Sequence, residues 1–270
     1  MKRPVWLAIL FLSACGGGSP TTGSAAAPLA AAVAAPTGPH EVVVFATASL
    51  RQPFEALAQR YEQDHPGGKV VLRCDGGNQL LTAMNQGDAC DVVAIGDNSL
   101  MSKFAAAAHL GAGSATELAR NRIAIVVAKG NGKQVKDLLD FARADVKVAL
   151  GTRSASIGRH GRWVLSRLQL DPKPACEANT ADGVLAKVAL GEADAGIVYP
   201  TTLAAATPEL QAKVEMIAVP EADNTPVLYS IATTREAKEL RGAAAFRALA
   251  LGPIGQQLLH EAGFLPIGAK

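Results

Sequence analysis

Four short segments carry residue types suited to holding a small anion. Thr47-Ala48-Ser49 follows the apolar run Glu41–Ala46, and Asp75-Gly76-Gly77-Asn78 follows Lys69–Arg73. Gly96-Asp97-Asn98-Ser99 follows Asp91–Ile95, and the Ser- and Gly-rich Gly151–Gly158 follows Lys147–Leu150. Each run ahead of a loop reads as a strand, and each loop opens a stretch with helical spacing. N–H groups at a helix start, with hydroxyls beside them, suit an anion. The same residue types are also ordinary N-caps and turn formers, and for any one loop that plainer reading is preferred. Four such loops at corresponding strand ends weigh towards a ligand cleft, because open α/β sheets bind ligands outside the carboxyl ends of their strands.

Other chemistries are poorly served. Ser49 sits in no Gly-x-Ser-x-Gly elbow and no His base with an acidic partner is evident, so a secreted hydrolase is a remote alternative. The five His residues (40, 65, 109, 160 and 260) lack the spacing of metal ligands. His160 falls near the fourth loop, where solvent or a ligand would meet it. No Gly-x-x-x-x-Gly-Lys-Ser/Thr is present, so ATP hydrolysis would belong to other chains.

The elements that must position these loops alternate. Strands are expected at 41–46, 69–73, 91–95, 122–128, 147–150, 195–198, 214–219 and 227–233. Helices are expected at 49–64, 78–86, 99–107, 135–143, 158–168 and 182–190, with two more between 236 and 261. In the first helix Leu50, Phe54, Leu57, Ala58 and Tyr61 recur on one face, and Pro66-Gly67-Gly68 ends it. Continuous apolar strands separated by helices of this length predict an α/β protein with parallel sheets.

With 270 residues, 49% of them hydrophobic, the chain is long enough for one large or two modest domains. Its 26 basic and 24 acidic residues leave a net charge of +2, and the excess is Lys2 and Arg3. The remaining body is neutral, which argues against nucleic acid, whose binding rests on phosphate neutralisation. A basic face for membrane adhesion is equally lacking.

Lys2-Arg3 precedes the mostly apolar Pro4–Ser13, too short to span ~30 Å of hydrocarbon and typical of a secretory signal. Leu12-Ser13-Ala14-Cys15 resembles a bacterial lipobox, so 1–14 reads as a lipoprotein signal and Cys15 as the lipidated residue. Gly16 after that Cys points to outer-membrane sorting in double-membrane bacteria. Residues 16–39 are Ala, Gly, Pro, Ser and Thr almost throughout and carry no charge. The segment 15–40 therefore reads as a flexible tether with a reach of roughly 25–30 Å.

Several segments of the body resemble the periplasmic molybdate-binding proteins, the substrate-binding subunits of ABC importers. They are Val42-Val-Val-Phe-Ala-Thr-Ala-Ser-Leu50, Gln86-Gly-Asp-Ala-Cys-Asp-Val-Val93, Asn121-Arg-Ile-Ala-Ile-Val-Val-Ala128, Gly191-Glu-Ala-Asp-Ala-Gly-Ile-Val-Tyr199 and Gly252-Pro-Ile-Gly-Gln-Gln-Leu-Leu259 with Ala262-Gly-Phe264. The resemblance covers 41–264 and implies a two-lobed type II periplasmic-binding fold with the ligand between the lobes. Lobe one would comprise 41–121 and 234–270, and lobe two 122–233.

By the resemblance, a tetrahedral oxyanion such as molybdate or tungstate is held by neutral donors. Ser49 takes the place of the first Ser ligand, Tyr199 that of a Tyr donor, and Ala181 and Ile157 those of backbone N–H donors. The second Ser of the family is replaced by Gly77, which offers only its N–H, with the Asn78 amide as a substitute donor. A carboxylate at Asp75 is unfavourable there unless it is turned away or capped. Gly77→Ser is expected to restore the missing hydroxyl and strengthen molybdate binding. A binding protein for a different small solute is the alternative reading.

The resemblance also implies no catalysis, no cofactor, no metal held by side chains, and a monomer that meets a permease and its ATPase subunits. Membrane contact would come through the lipid alone. Of the cysteines in the body, Cys74 ends a strand and Cys90 precedes one, which places them at opposite edges of a parallel sheet, unpaired. Cys74 and Cys176 precede ligand loops in opposite lobes, where closure would bring them together, although burial as inert thiols is the commoner outcome. If Cys15 is the anchor, Cys15→Ser releases the protein from the membrane fraction without detergent while the body stays folded; fractionation and circular dichroism check both halves.

Overall fold

The structure is a computed structural model that describes residues 38–111 and 113–268, together with Pro36. The signal segment, Cys15 and nearly all of the tether lie outside the described residues. In chain order the first half comprises β1 (His40–Thr47), a 3-10 turn (Ala48–Leu50), α1 (Arg51–Asp64), β2 (Gly68–Asp75), α2 (Gly77–Asn85), β3 (Val92–Gly96), α3 (Asn98–Ala106) and β4 (Thr116–Asn121). The chain then runs through β5 (Ala124–Ala128), a 3-10 turn (Leu138–Ala142), β6 (Val148–Gly151), α4 (Ser156–Arg167), β7 (Cys176–Ala178), α5 (Ala181–Ala189) and β8 (Ala195–Val198). It ends with α6 (Pro200–Ala204), α7 (Pro208–Gln211), β9 (Val214–Ala218), β10 (Val227–Thr233), α8 (Leu240–Leu251) and α9 (Pro253–Glu261).

The strands form two five-stranded sheets, ordered β2-β1-β3-β10-β4 and β7-β6-β8-β5-β9. Each is covered on both faces, which is why its strands read as unbroken apolar runs. On the first sheet, Phe54, Leu57 and Tyr61 of α1 and Phe246 of α8 pack over Val42, Val44 and Val92. Leu80 of α2 and Leu100 and Phe104 of α3 cover Phe45, Val93 and Ile95 on the other side. The second sheet repeats this layering, with Val164 and Leu165 of α4 on one face and Val184, Leu185 and Val188 of α5 on the other. Each large side chain so buried contributes ~1.5–3 kcal/mol.

Two aspartates set the sheets' inner registers in the same way. Asp91 is buried ahead of β3; its Oδ2 accepts from Val43 N (2.8 Å) in β1, and its Oδ1 accepts from Lys238 N (2.7 Å) and Glu239 N (3.1 Å) before α8. Asp194, ahead of β8, accepts from Lys147 N (2.8 Å) at the entry to β6. The short runs Gly87-Asp-Ala-Cys-Asp91 and Gly191-Glu-Ala-Asp194 thus position neighbouring parallel strands.

The sheets are mixed, not parallel as expected. β1 is parallel to β2 and β3, and β6 to β7 and β8, but β10 runs antiparallel between β3 and β4, and β5 runs antiparallel between β8 and β9. The reversed strands are those next to the two places where the chain passes between sheets. The expected strand 122–128 begins only at Ala124, because Arg122 and Ile123 form the first crossing after β4. The expected helix 135–143 is a single 3-10 turn. Its backbone N–H groups are taken by side chains instead: Asn131 Oδ1 accepts from Val135 N, Asp140 Oδ2 from Lys136 N and Asp137 Oδ1 from Leu139 N. Strand 227–233, expected in the second lobe, pairs within the first sheet, so the second crossing falls before it.

The crossings are tied to each other by one side chain. Asn224 is buried and accepts from Ile123 N (3.1 Å) while donating to Ile123 O (2.7 Å). Asn224→Ala leaves both groups without partners in a buried site, so it should cost ~2–4 kcal/mol of stability in urea unfolding.

Candidate ligand cleft

The six residues expected to touch a ligand come together. Ser49, Gly77, Asn78, Ile157, Ala181 and Tyr199 all line one cavity of about 660 Å³, the first three from elements of the first sheet and the others from the second. The cause is topological: each follows the carboxyl end of a strand, and most stand at a helix start.

Those helix starts leave N–H groups unused by the helix. The first backbone bond of α2 is Leu80 N to Gly76 O (3.1 Å), that of α4 is Arg159 N to Ala155 O (2.9 Å), and that of α5 is Val184 N to Thr180 O (3.2 Å). The Gly77, Ile157 and Ala181 N–H groups lie ahead of these bonds, in the first turns, where the helix dipole favours negative charge. Thr180 caps Gly183 N (3.1 Å), which shows that the capping reading of these loops and the ligand reading coexist. Gly158 is obligatory, because a Cβ there would stand 1.9 Å from Thr152 O.

Two tyrosines project into the same space. Tyr199 is 5% exposed and its hydroxyl has no partner, although buried hydroxyls are ordinarily satisfied. Burial pushes its phenol well above the ordinary value, so it is a neutral donor. Tyr229, which sequence reading missed, lines the cavity with its hydroxyl 3.0 Å from Ser49 Oγ. It stands mid-strand in β10 with only apolar periodicity around it, so no sequence signal separates it from a core residue.

The cleft carries charges as well. Arg73 and Asp75 line it. The Arg73 guanidinium pairs with Asp88 (2.6 Å) and lies 5.2 Å from the centre of the Phe45 ring. Asp75 is capped, its Oδ1 accepting from Gly76 N (2.7 Å).

Contacts also bridge the cleft. Asn78 Nδ2 donates to Ser154 O (3.3 Å) in the loop before α4, so the expected substitute donor has one N–H engaged across the gap. Asp97, in the cap of α3, pairs with Arg159 of α4. Burial alone would raise the Asp97 carboxyl, but hydrogen bonds from Arg159 and Ser99 and the Arg159 charge hold it below its ordinary value. His160, expected at the solvent or the ligand, does neither. It lies inside α4, 9% exposed, away from the cavity lining, with Nε2 donating to Thr225 O (2.8 Å), and burial lowers its pKa. Cys74, Cys90 and Cys176 are free thiols, and burial pushes Cys74 up to about 11 and Cys90 up to about 12.

Residues 42–265 match the family model of the bacterial extracellular solute-binding proteins. The chain belongs to that family. Among curated relatives of this solute-binding protein, the molybdate-binding protein ModA of Mycobacterium bovis is 32% identical over 255 residues, 94% of this chain and 92% of the relative, and ModA of Mycobacterium tuberculosis matches equally. Solved structures share the fold. The substrate-binding domain of a putative molybdenum ABC transporter from Clostridium difficile has TM-score 0.67 at 21% identity, covering 84% of this chain and 99% of its own. The periplasmic molybdate-binding protein of Azotobacter vinelandii has TM-score 0.68 at 19%, covering 83% and 98%. The sulfate-binding protein SubI of Mycobacterium tuberculosis has TM-score 0.69 at 17%, covering 84% and 87%. The expected two-lobed α/β fold is therefore the one this solute-binding protein has.

The Gly at 77 has a packing cause. A Cβ there would fall 2.2 Å from Leu100 Cδ2, and Leu100 is buried in the core between α3 and the sheet. The variant Gly77→Ser therefore overpacks the α2–α3 contact. It should lower stability by ~1–3 kcal/mol, read as a fall in the thermal midpoint of the ligand-free protein.

Proposed function

We propose that this chain is the extracytoplasmic substrate-binding subunit of an ABC importer, that it captures molybdate or a similar tetrahedral oxyanion such as tungstate, and that it catalyses nothing. The observation that carries this reading is the buried, partnerless hydroxyl of Tyr199, a residue that lines a cavity ringed by helix N-termini. Neutral donors of this kind replace the hydration of a dianion without the cost of burying a counter-charge. The relatives named as molybdate-binding proteins support the same substrate class. Ser49 has a tyrosine hydroxyl as its partner, not a His base, which leaves it a binding group and not a nucleophile.

In operation, ligand would bind donors from both sides of the cleft and shift the lobes towards a closed form that a permease recognises. ATP hydrolysis would fall to partner chains. Lipid on Cys15 would hold the protein to the membrane, with the tether supplying reach.

A second reading has its own support. The cavity of about 660 Å³ exceeds what a single tetrahedral oxyanion fills, and Gly77 lacks the hydroxyl of the family's second Ser. Both favour a different small solute. A thermal-shift panel of oxyanions, small organic acids and metals separates the readings, because a ligand at 100 times its Kd adds ~2.7 kcal/mol of stability. Molybdate or tungstate giving the largest shift supports the first; no shift from any tetrahedral oxyanion favours the second.

Under the first reading, Ser49→Ala and Tyr199→Phe should each weaken molybdate binding by ~1.5–3 kcal/mol in titration calorimetry. Tyr199→Phe should leave the ligand-free protein at least as stable as the parent, because it removes a buried hydroxyl that has no partner.

A further inference from the structure

The cleft loop Gly151–Gly158 presents the Ile157 N–H, and part of its shape is set from within its own sheet. Thr152 N donates to Ala178 O (2.8 Å), and Ala155 N closes a turn on Thr152 O (3.0 Å). The Ser154 carbonyl is held differently. It accepts from Arg159 Nη1 (2.5 Å) in α4 and from Asn78 Nδ2 (3.3 Å) at the start of α2, on the other side of the cleft. The same guanidinium donates through Nη2 to Ser156 Oγ (3.3 Å) and to the Asp97 carboxylate at the cap of α3. One arginine thus ties two residues of the loop to the opposite sheet. Neither Arg159 nor Asp97 lines the cavity, whereas Ser154, Ala155, Ser156 and Ile157 all do.

Asp97 does more than cap a helix. A cap needs one side-chain oxygen and an extended backbone. Asp97 Oδ1 meets the first need alone, accepting from Ser99 N (2.8 Å) and Ser99 Oγ (2.7 Å), which leaves Oδ2 to Arg159. The backbone is not extended: φ is +97°, a conformation that residues with a Cβ rarely take. The Asp97 N–H anchors that turn by donating to Leu228 O (2.9 Å) in β10. Strain of this kind persists only where the surroundings enforce it, and it gathers at ligand clamps and other functional sites. Capping does not require it here, and the second use of the carboxylate, across the cleft, is what remains to account for it.

We propose that Arg159 and Asp97 are positioning residues of the ligand site: Arg159 holds the Ser154 carbonyl, Asp97 braces Arg159 from the opposite lobe, and the pair fixes the loop that offers the Ile157 N–H while touching no ligand. This rests on the oxyanion reading of the same cleft. The guanidinium suits the task because its fork of donors engages a carbonyl, a hydroxyl and a carboxylate at once, which a lysine ammonium on its single flexible stem does not reproduce. The brace spans α3 and α4, so it exists only while the two lobes stand close. The loop is then set with the lobes together and released as they part. Loss of the brace should therefore speed ligand departure and leave ligand arrival nearly as it was.

The test is a double-mutant cycle on the full chain with Asp97→Asn, which keeps a capping oxygen and tolerates the backbone, and Arg159→Lys, which keeps the charge. Release of radiolabelled molybdate into an excess of unlabelled molybdate gives the dissociation rate, and titration calorimetry the affinity. Each variant should release molybdate about fivefold faster, with association changed by less than about twofold. The double variant should exceed the faster single by no more than about twofold, because either change alone breaks the brace. Unaltered release, or effects that multiply in the double variant, overturns the proposal. A merely structural ion pair would lower the thermal midpoint and leave release untouched. A second measurement needs no ligand: in Asp97→Asn the Ala155 amide, across the cleft from the substitution, should exchange its hydrogen faster while the amides of α3 keep the parent's rates. An unchanged Ala155 amide also overturns the proposal, and if Asp97→Asn fails to fold, Arg159→Lys carries both measurements. A parent that ignores molybdate while Ala155 responds to Asp97→Asn removes the oxyanion reading and leaves the brace standing.

Discussion

Helix N-termini from two separate sheets must face one another across a narrow gap, and most of this molecule is arranged to satisfy that demand. A parallel strand delivers its helix start at the sheet's carboxyl edge. Two such edges oppose each other only if the chain passes from one sheet to the other and back. The crossings after β4 and before β10 meet this requirement, and they explain why each sheet accepts an antiparallel strand beside its parallel ones. Asn224 holds the crossings at a fixed separation through Ile123. Asp91 and Asp194 do the corresponding work inside each sheet, fixing the offset from which the ligand loops spring.

Much of this was readable in the residues. The apolar runs marked the buried strands because both faces of each sheet are covered, and strands 195–198 and 227–233 fall where expected. The strands that escaped notice are those without the pattern. β4, Thr-Glu-Leu-Ala-Arg-Asn, is an edge strand with polar positions, and β7 has three residues. The region 135–143 has helical spacing, but side chains of Asn131, Asp137 and Asp140 capture its backbone N–H groups first. For the cleft, residues at strand ends were visible as Ser, Gly and Asn clusters. Tyr229 was not, since its role arises from the antiparallel return of β10 to the first sheet, a tertiary fact without local signature.

The cleft is also bridged by side chains, by Asp97 with Arg159 and by Asn78 with the Ser154 carbonyl. The side chains of the ion pair are 20% and 32% exposed, so its strength is modest and sensitive to salt. These bonds act between α3 and α4 and between α2 and the loop before α4, outside the row of backbone donors. The bridging contacts of Asp97 with Arg159 are thus made by side chains, and the unused backbone N–H groups at the starts of α2, α4 and α5 are left out of them.

The contact of Gly77 with Leu100 bears on what either position accepts. Replacing the glycine with serine alone collides with the leucine, and trimming Leu100 while the glycine remains opens a void in a core it fills. The two positions are therefore coupled, and a larger residue at 77 calls for a smaller one at 100.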